Sequence, residues 1–331
     1  MPVYGGPQTL VVATEHPVPT AGPKQLLVRV IAASCNAADW HIMRGDPSAA
    51  RLAFGITKPT AGTILGNDFA GIVEAVGDKC TGGIAQGASV FGQLVPGAFA
   101  DFVVVSEDSV APIPAGWSFA DAATLPTAGV TALQAVRDAA LLPRKSNASV
   151  LINGASGGVG IFAVQIAKAM GAAHVTAVCS AKNAAMVQSL GADRVLDYAT
   201  QDCTTEQTDR KYDVVLDMVG THSFADYRKV MAPSGRFVPV GGPGGGFLGS
   251  TSDAIMAVMS SMFTSQKAAM FVAAINRKEL EQLATWANEG KLKTVIQSRY
   301  PLEQVPEAIR VLEEGHVAGK LVIEVSAAPS S

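Results

Sequence analysis

The chain has no cysteines paired at disulfide or metal-ligand spacing. Its four, Cys35, Cys80, Cys179 and Cys203, are scattered through 331 residues without a CxxC. That excludes a disulfide framework and a structural zinc lobe, and it fits a reducing compartment. A basic run is also missing. With 25 basic against 28 acidic residues the net charge is −3, which argues against nucleic acid as a partner. No apolar run is long enough for a membrane span. The most apolar late window, residues 254–275, is broken by Thr264, Ser265, Gln266 and Lys267 and reads as one or two buried elements. Met1 to Gly6 offer neither a cationic segment nor an apolar h-region, so no targeting peptide is read there. The expected location is cytoplasmic, with a peripheral position on an organelle membrane as the alternative. The most telling absence is of acid: no Asp or Glu occurs between Asp138 and Asp193.

What is present is apolar content of 48%, ample for two domains. Up to about Ala115 the pattern is short strands and glycine turns: residues 26–33, 71–76, 88–91 and 100–105 predict a β-rich domain. Ser118 is a predicted N-cap before a helix over 119–125, and a second helix over 127–141 is stopped by Pro143. From Ser149 strands alternate with helices. Strands are predicted at 150–152, 174–179, 194–197, 213–217 and 236–240, with a helix over 161–170. That alternation is the signature of an α/β fold with a doubly wound parallel sheet. After a glycine break at 241–246 come a helix over 277–289 and a strand–helix–strand ending at 321–325.

The run Val150 to Gly160 combines an apolar strand, a cluster of small residues and a helical start. Ala155, Gly157 and Gly160 fall at the spacing of a dinucleotide fingerprint, with Ala in the first glycine slot. In that reading the backbone of Ala155, Ser156, Gly157, Gly158, Val159 and Gly160 cradles a pyrophosphate at a helix N-terminus. Glycines also mark ordinary strand-to-helix turns, but here a helix and a second strand follow in register. An NAD-binding unit places Asp or Glu at the end of that second strand, roughly 20 residues past the glycines, to bind the ribose 2′-hydroxyl. This strand ends instead in Ser180, Lys182 and Asn183. A hydroxyl, an ammonium and an amide suit a 2′-phosphate, so the expected cofactor is NADPH. The competing reading places Lys182 on the solvent face of the next helix.

Several landmarks in order, Ser34-Cys35-Asn36 with Asp39-Trp40, Gly66-Asn67-Asp68 through Gly77, Leu125-Pro126-Thr127, Ala155 to Gly160, Ser189 to Tyr198, and Gly315 to Lys320, resemble the zinc-independent quinone oxidoreductases of the medium-chain dehydrogenase/reductase superfamily. The likeness is to their chloroplast-envelope quinone oxidoreductase and alkenal reductase branch. The resemblance implies a GroES-like β domain formed by residues 1–121 and 266–331, with a Rossmann domain inserted at 122–265. It also implies that Asn36 and Thr127 lie near the nicotinamide, that Tyr198 packs at the adenosine phosphate, and that Lys320 reaches the cofactor. Gly241 and Gly242 follow the fifth strand, where backbone approaches the nicotinamide ribose. Relatives in the alcohol dehydrogenase branch carry zinc-ligating Cys and His where this chain has Asn36 and Asn67. Amides are poor zinc ligands, so no metal site is expected.

Hydride transfer from NADPH to a quinone, or to the β-carbon of an enal or enone, then remains as the expected chemistry. Asn36 and His41 are the catalytic candidates. The plant branch has Lys at the position of His41, said to touch cofactor and substrate; a histidine there could polarise a carbonyl or supply a proton. Its alternative is an ordinary surface histidine. Two other functions stay open: a trans-2-enoyl thioester reductase, for which Tyr4 is the only tyrosine before the Rossmann unit, and a non-catalytic NADPH-binding protein. Relatives dimerise through an edge strand, for which Met270 to Ala273 is the candidate. They also begin with an extra strand before their Tyr-Gly-Gly, which this chain reaches at Tyr4, so a shortened β-domain edge is expected.

Overall fold

The computed structural model describes residues 1–13, 15–142, 147–205, 210–242, 249 and 251–328. The strands in chain order are β1 (Gln25–Ser34), β2 (Asp68–Val76), β3 (Ser89–Gln93), β4 (Phe102–Ser106), β5 (Val110–Pro112), β6 (Ser149–Asn153), β7 (His174–Cys179), β8 (Arg194–Asp197), β9 (Tyr212–Asp217), β10 (Met231–Pro239), β11 (Lys267–Ala268), β12 (Ile296–Pro301) and β13 (Lys320–Glu324). They divide between two compact units. The first comprises residues 1–130, 274–290 and 294–331; the second comprises 131–273 and 291–293. Among the described residues no helix is long and apolar enough to cross a membrane, and all four cysteines are unpaired thiols.

Unit 1 is built on a sheet in the order β12-β13-β1-β2-β3-β5, with β4 also pairing β1. Along β1 Leu26, Val28 and Val30 are fully buried and alternate with Leu27 and Arg29, the period of a strand with one face in a core. From Ile31 to Ser34 every residue is buried, and this stretch has β13 on one side and β2 on the other. It delivers the chain to Asn36 and the helix Ala37–Arg44. Among the described residues before β1 there is no strand and only the short turn Pro7–Thr9 is regular, and Tyr4 is held by its hydroxyl donating to the Gly55 carbonyl at 2.6 Å.

Unit 2 is a six-stranded sheet in the order β11-β10-β9-β6-β7-β8. Every pairing is parallel. Read in chain order this is 3-2-1-4-5-6, so the order reverses between β6 and β9, the switch point where open α/β sheets bind ligands. The helix Gly160–Ala169, apolar but for Gln165 and Lys168, is buried from Gly160 to Ala167. The fold class expected from the alternating pattern is therefore the one found.

Some elements differ from expectation. The helix drawn over 127–141 begins at Pro126, is α-helical only to Gln134, and continues as a π turn over Ala135–Ala139; its stop at Pro143 lies outside the described residues, as does the 243–246 part of the glycine break. β10 begins five residues before the predicted Arg236. Its first residue Met231 pairs with Tyr212, and the register then slips to Arg236 opposite Val214, an irregularity around Pro233 and Gly235 that breaks the alternation a strand is read from. The window 254–275, expected buried, is largely exposed. In the helix Thr251–Ser261 only Ala254, Ala257 and Ser261 are buried, while Met256, Met259, Met262 and Phe263 lie open at 60%, 55%, 71% and 89%. The edge strand is Lys267–Ala268; Met270 to Ala273, proposed for that edge, has no regular structure.

The turn after β6 explains the glycine pattern. Gly154 has φ +78, the left-handed conformation that a tight turn needs and that favours glycine, so Ala155 can occupy the first fingerprint slot. A Cβ on Gly160 would lie 2.2 Å from the Gly154 carbonyl oxygen, whereas one on Gly157 would sit at an ordinary 3.4 Å. Gly160→Ala is therefore expected to destabilise the protein by about 1–3 kcal/mol, and Gly157→Ala to leave stability nearly unchanged. Urea unfolding of both variants checks this; equal stabilities would contradict the close helix–strand approach.

Candidate functional site

The groups of unit 1 converge on a buried hydrogen-bonded chain. Asn36 closes β1 and precedes the helix Ala37–Arg44. Its Nδ2 donates to Asp68 Oδ2 at 2.9 Å and to the Ser34 carbonyl at 3.3 Å. Its Oδ1 accepts from Lys320 Nζ at 2.6 Å, and the same ammonium donates to the Cys35 carbonyl at 2.9 Å. Asp68, the first residue of β2, also receives the Thr127 hydroxyl at 2.6 Å and the Thr127 N–H at 3.1 Å. Thr127 is the second residue of the helix Pro126–Gln134, so its N–H has no partner within the helix, and a carboxylate is the natural acceptor there. Lys320 is 3% exposed and Asp68 fully buried. Expected to reach the cofactor, Lys320 is bonded inward.

Burial sets the electrostatics of this cluster. It lowers the Lys320 ammonium pKa, against the pull of Asp68, and raises that of Asp68, against Lys320 and the Thr127 hydroxyl. Asp39, fully buried on the first turn after Asn36, accepts the Asn36 N–H at 2.7 Å and the Gly66 N–H at 3.1 Å. Its pKa is raised to about 7 by burial, and the neighbouring Asp68 adds to the rise. Asn67 is 4% exposed, and its Oδ1 has no hydrogen-bond partner among the described residues. Sequence reasoning noticed Asn67 only as a zinc-position residue and Asp68 only within a family landmark; that Asp68 joins Asn36 to Thr127 is a tertiary fact with no local signal.

His41 is not an ordinary surface residue. It is partly buried and stacked on Trp40 with ring centroids 3.6 Å apart. Its Nδ1 lies 2.6 Å from the Asp46 carbonyl, which only accepts, so Nδ1 carries the proton and Nε2 is the acceptor in the neutral ring. Burial lowers its pKa. Tyr4, the tyrosine an enoyl thioester reductase would need, is committed to Gly55 and lies under the Arg51 guanidinium, 4.9 Å from its ring centroid.

In unit 2 the fingerprint residues lie between β6 and the helix Gly160–Ala169. Gly154 and Ala155 N–H donate to the Val178 carbonyl at 3.1 and 3.0 Å, and Gly157 N–H to Gly154 at 3.1 Å. The N–H groups of Ser156, Gly158 and Val159 have no acceptor among the described residues, an arrangement suited to an anion at a helix N-terminus. Beside them, at the end of β7, Asn183 Nδ2 donates to Ser156 Oγ at 3.2 Å. Ser180 is half-buried and Lys182 exposed. Tyr198 follows β8 with 57% of its surface open, and its N–H donates to Cys179, the last residue of β7, at 3.3 Å. The structure thus gathers Ser156, Ser180, Lys182, Asn183 and Tyr198 at the carboxyl ends of adjacent strands. Gly241 follows β10, where a Cβ would stand 2.4 Å from the Met218 carbonyl oxygen; the fold itself requires glycine there. Gly242 is half-buried beside it.

The raised Asp39 pKa makes a pH-dependent prediction. Its ordinary value is 3.8 and its value in the fold about 7, so the folded chain holds this proton more tightly than the unfolded one. The stability it contributes is complete below 3.8 and is lost as pH rises through about 7. Wild type is expected to lose more stability than Asp39→Asn between about pH 4 and about pH 7 in urea titrations. Parallel curves would show that Asp39 is ionised throughout.

Comparison with known proteins agrees with this architecture. The alcohol dehydrogenase GroES-like domain family matches residues 22–115, and the family described as zinc-binding dehydrogenase matches residues 190–323. The chain is 32% identical to a chloroplast envelope quinone oxidoreductase homolog of Arabidopsis thaliana, over 97% of this chain and 96% of that one. It is 31% identical to a 2-methylene-furan-3-one reductase of Solanum lycopersicum, over 97% of this chain and 76% of the relative. The solved quinone oxidoreductase of Coxiella burnetii superposes with a TM-score of 0.85 at 30% identity, covering 98% of each chain. The chain belongs to the medium-chain dehydrogenase/reductase superfamily, among its quinone oxidoreductases.

Proposed function

We propose that this protein is an NADPH-dependent reductase that delivers hydride to a quinone or to the β-carbon of an α,β-unsaturated carbonyl, without a metal. The observation that carries the reading is the end of β7. Ser180, Lys182 and Asn183 stand there, beside the open N–H groups of Ser156, Gly158 and Val159, and the strand itself ends without a carboxylate. The names of the relatives, a quinone oxidoreductase and an enone reductase, support the substrate class.

When bound, the nicotinamide supplies the hydride. In this reading the three N–H groups bind the pyrophosphate, and the Asn183–Ser156 hydrogen bond holds the two strand ends at a fixed spacing. Lys182 meets the 2′-phosphate as a charged donor, and Tyr198 offers a flat apolar face to the adenosine. Asn36 and Thr127 take the nicotinamide side. Both are oriented by Asp68, and the Asn36 amide is fixed in one orientation because Lys320 donates to its oxygen. The buried Asn67 oxygen has no hydrogen-bond partner among the described residues, which costs about 1–3 kcal/mol.

Metal independence rests on the donor chemistry. Asn36 and Asn67 are amides, and Asn36 is already bonded to an ammonium and a carboxylate. His41 would act as a proton donor only as the imidazolium, which the Asp46 carbonyl supports and burial opposes. For assembly, the exposed methionines and Phe263 around the short edge strand β11 favour a homodimer.

The test is NADPH oxidation with quinones, short enals, long-chain enones and crotonyl thioesters. Turnover of quinones or enones supports the reading; NADPH binding without turnover of any acceptor leaves a binding protein, and turnover of thioesters alone leaves the enoyl thioester reaction. Lys182→Ala is expected to weaken NADPH binding by roughly 1.5–3 kcal/mol, ten-fold or more, with NADH almost unaffected. Equal losses would rule out the 2′-phosphate contact. His41→Ala is expected to lower kcat by about 10²-fold or more at unchanged NADPH affinity; unchanged turnover assigns His41 to structure.

A further inference from the structure

A second group of chemistry-bearing side chains lies in unit 2 and takes no part in the dinucleotide reading. Asp202 and Cys203 follow β8, in the segment that leads toward β9, and His222 follows β9. A carboxylate oxygen of Asp202, the Cys203 Sγ and a ring nitrogen of His222 all lie within 4.8 Å of one another. No two of these elements need to meet for the sheet to form, since β8 and β9 are separated by β7 and β6.

Each of the three donors is held in place. Asp202 Oδ1 accepts from the Thr204 N–H at 2.8 Å and from its hydroxyl at 2.7 Å, and its other oxygen has no protein partner among the described residues. Cys203 is 2% exposed and packs in the cluster that contains Leu196, Phe224 and Tyr227, so its sulfur cannot swing away. His222 stands edge-on to the Tyr227 ring, with centroids 5.6 Å apart and planes at 75°. Tyr227 is itself anchored, its hydroxyl accepting from Asn153 Nδ2 at 3.0 Å. A group that fixes the orientation of a ligand is what a metal site needs beyond the ligands themselves.

Thiolate, imidazole and carboxylate together are the donor set of a borderline-soft divalent cation, zinc above all. Bonds of about 2.0–2.3 Å around a tetrahedral ion put its donors about 3.3–3.8 Å apart, so the trio needs only a small contraction. Asp202 is exposed and His222 partly so, which gives the ion a way in and leaves a fourth position for water. We propose that Asp202, Cys203 and His222 form a zinc-class cation site that ties the segment after β8 to the loop after β9. On binding, the thiol proton passes to solvent as the sulfur–metal bond forms, and nothing is oxidised or reduced.

Cobalt(II) titration of the metal-free, full-length protein tests this. One cobalt per chain is expected, with a thiolate-to-cobalt charge-transfer band that zinc displaces. Cys203→Ser is expected to abolish the band. Because that residue is buried, His222→Ala, at a partly exposed position, serves as the second variant. It is expected to weaken zinc binding by more than the roughly 10–100-fold of an outer-shell change. No band in the wild type, a band undiminished in Cys203→Ser, or unchanged zinc affinity in His222→Ala would each overturn the site.

Discussion

A buried ammonium organises unit 1. Lys320 cannot reach water at 3% exposure, and a cation taken out of water costs several kcal/mol unless acceptors surround it. It finds them in the Cys35 carbonyl and the Asn36 amide, both at the end of β1. The neighbouring register, Ser34 opposite Val322, is the one that brings the first residue of β13 to that place. From Asn36 the chain of bonds continues through Asp68 to Thr127. A single run of contacts therefore fixes the last strand of the chain, the entry to the helix Ala37–Arg44 and the start of the helix Pro126–Gln134. The identity of residue 36 follows from this. An ammonium on one side requires an acceptor, and a carboxylate on the other requires a donor; an amide provides both, whereas a thiolate could only accept and would leave Asp68 short of a donor. The same demand that suits asparagine here makes the position unsuited to zinc.

Unit 2 rests on a different economy of backbone groups. The tight turn at Gly154 spends two N–H groups on the Val178 carbonyl and so joins the fingerprint loop to β7. Three others, at the start of a helix where the backbone dipoles favour an anion, have no acceptor among the described residues. Asn183 then bonds Ser156, so the residues that would read the ribose phosphate are attached to the loop that would hold the pyrophosphate. In the proposed reading, phosphate binding and cofactor choice would both follow from one local arrangement of β6, β7 and the turn between them.

The sequence made unit 2 readable because its signals are local. An apolar run, a glycine cluster and a helical period fall within a few residues of each other, and the parallel sheet has the strands where the alternation put them at β7 and β8. β10 was misjudged at its start because Pro233 and Gly235 interrupt the pairing pattern. The window 254–275 was misjudged for a different reason: high apolar content says that a segment is hydrophobic, not which face is covered, and Met256, Met259 and Phe263 are exposed. In unit 1 Asn36 and Thr127 were visible through family landmarks, but the role of Lys320 was not. Its partners lie at positions 35 and 36, far away in the chain, and an isolated lysine after glycine carries no mark of burial. Asp39 and Asp68 were hidden for the same reason, since their perturbed protonation arises from packing alone.

Metal chemistry in this chain is a question of position rather than of presence. At residues 36 and 67 the available atoms are amide oxygens and nitrogens, and those of Asn36 are committed to charged neighbours. At residues 202, 203 and 222 they are a carboxylate, a thiol and an imidazole within 4.8 Å of one another. A zinc ion recovered with the protein would therefore not by itself imply metal-assisted hydride transfer. Its ligands would decide: among the described residues Asp202, Cys203 and His222 are the one group of three metal-ligating side chains close enough to share an ion, whereas Cys35, the buried thiol near the family's zinc position, lies among Asp39, Asp68 and Lys320. Buried among those groups, Cys35 is a packing residue, and at the end of β1 it is the amide beside it that bonds to Lys320 and Asp68.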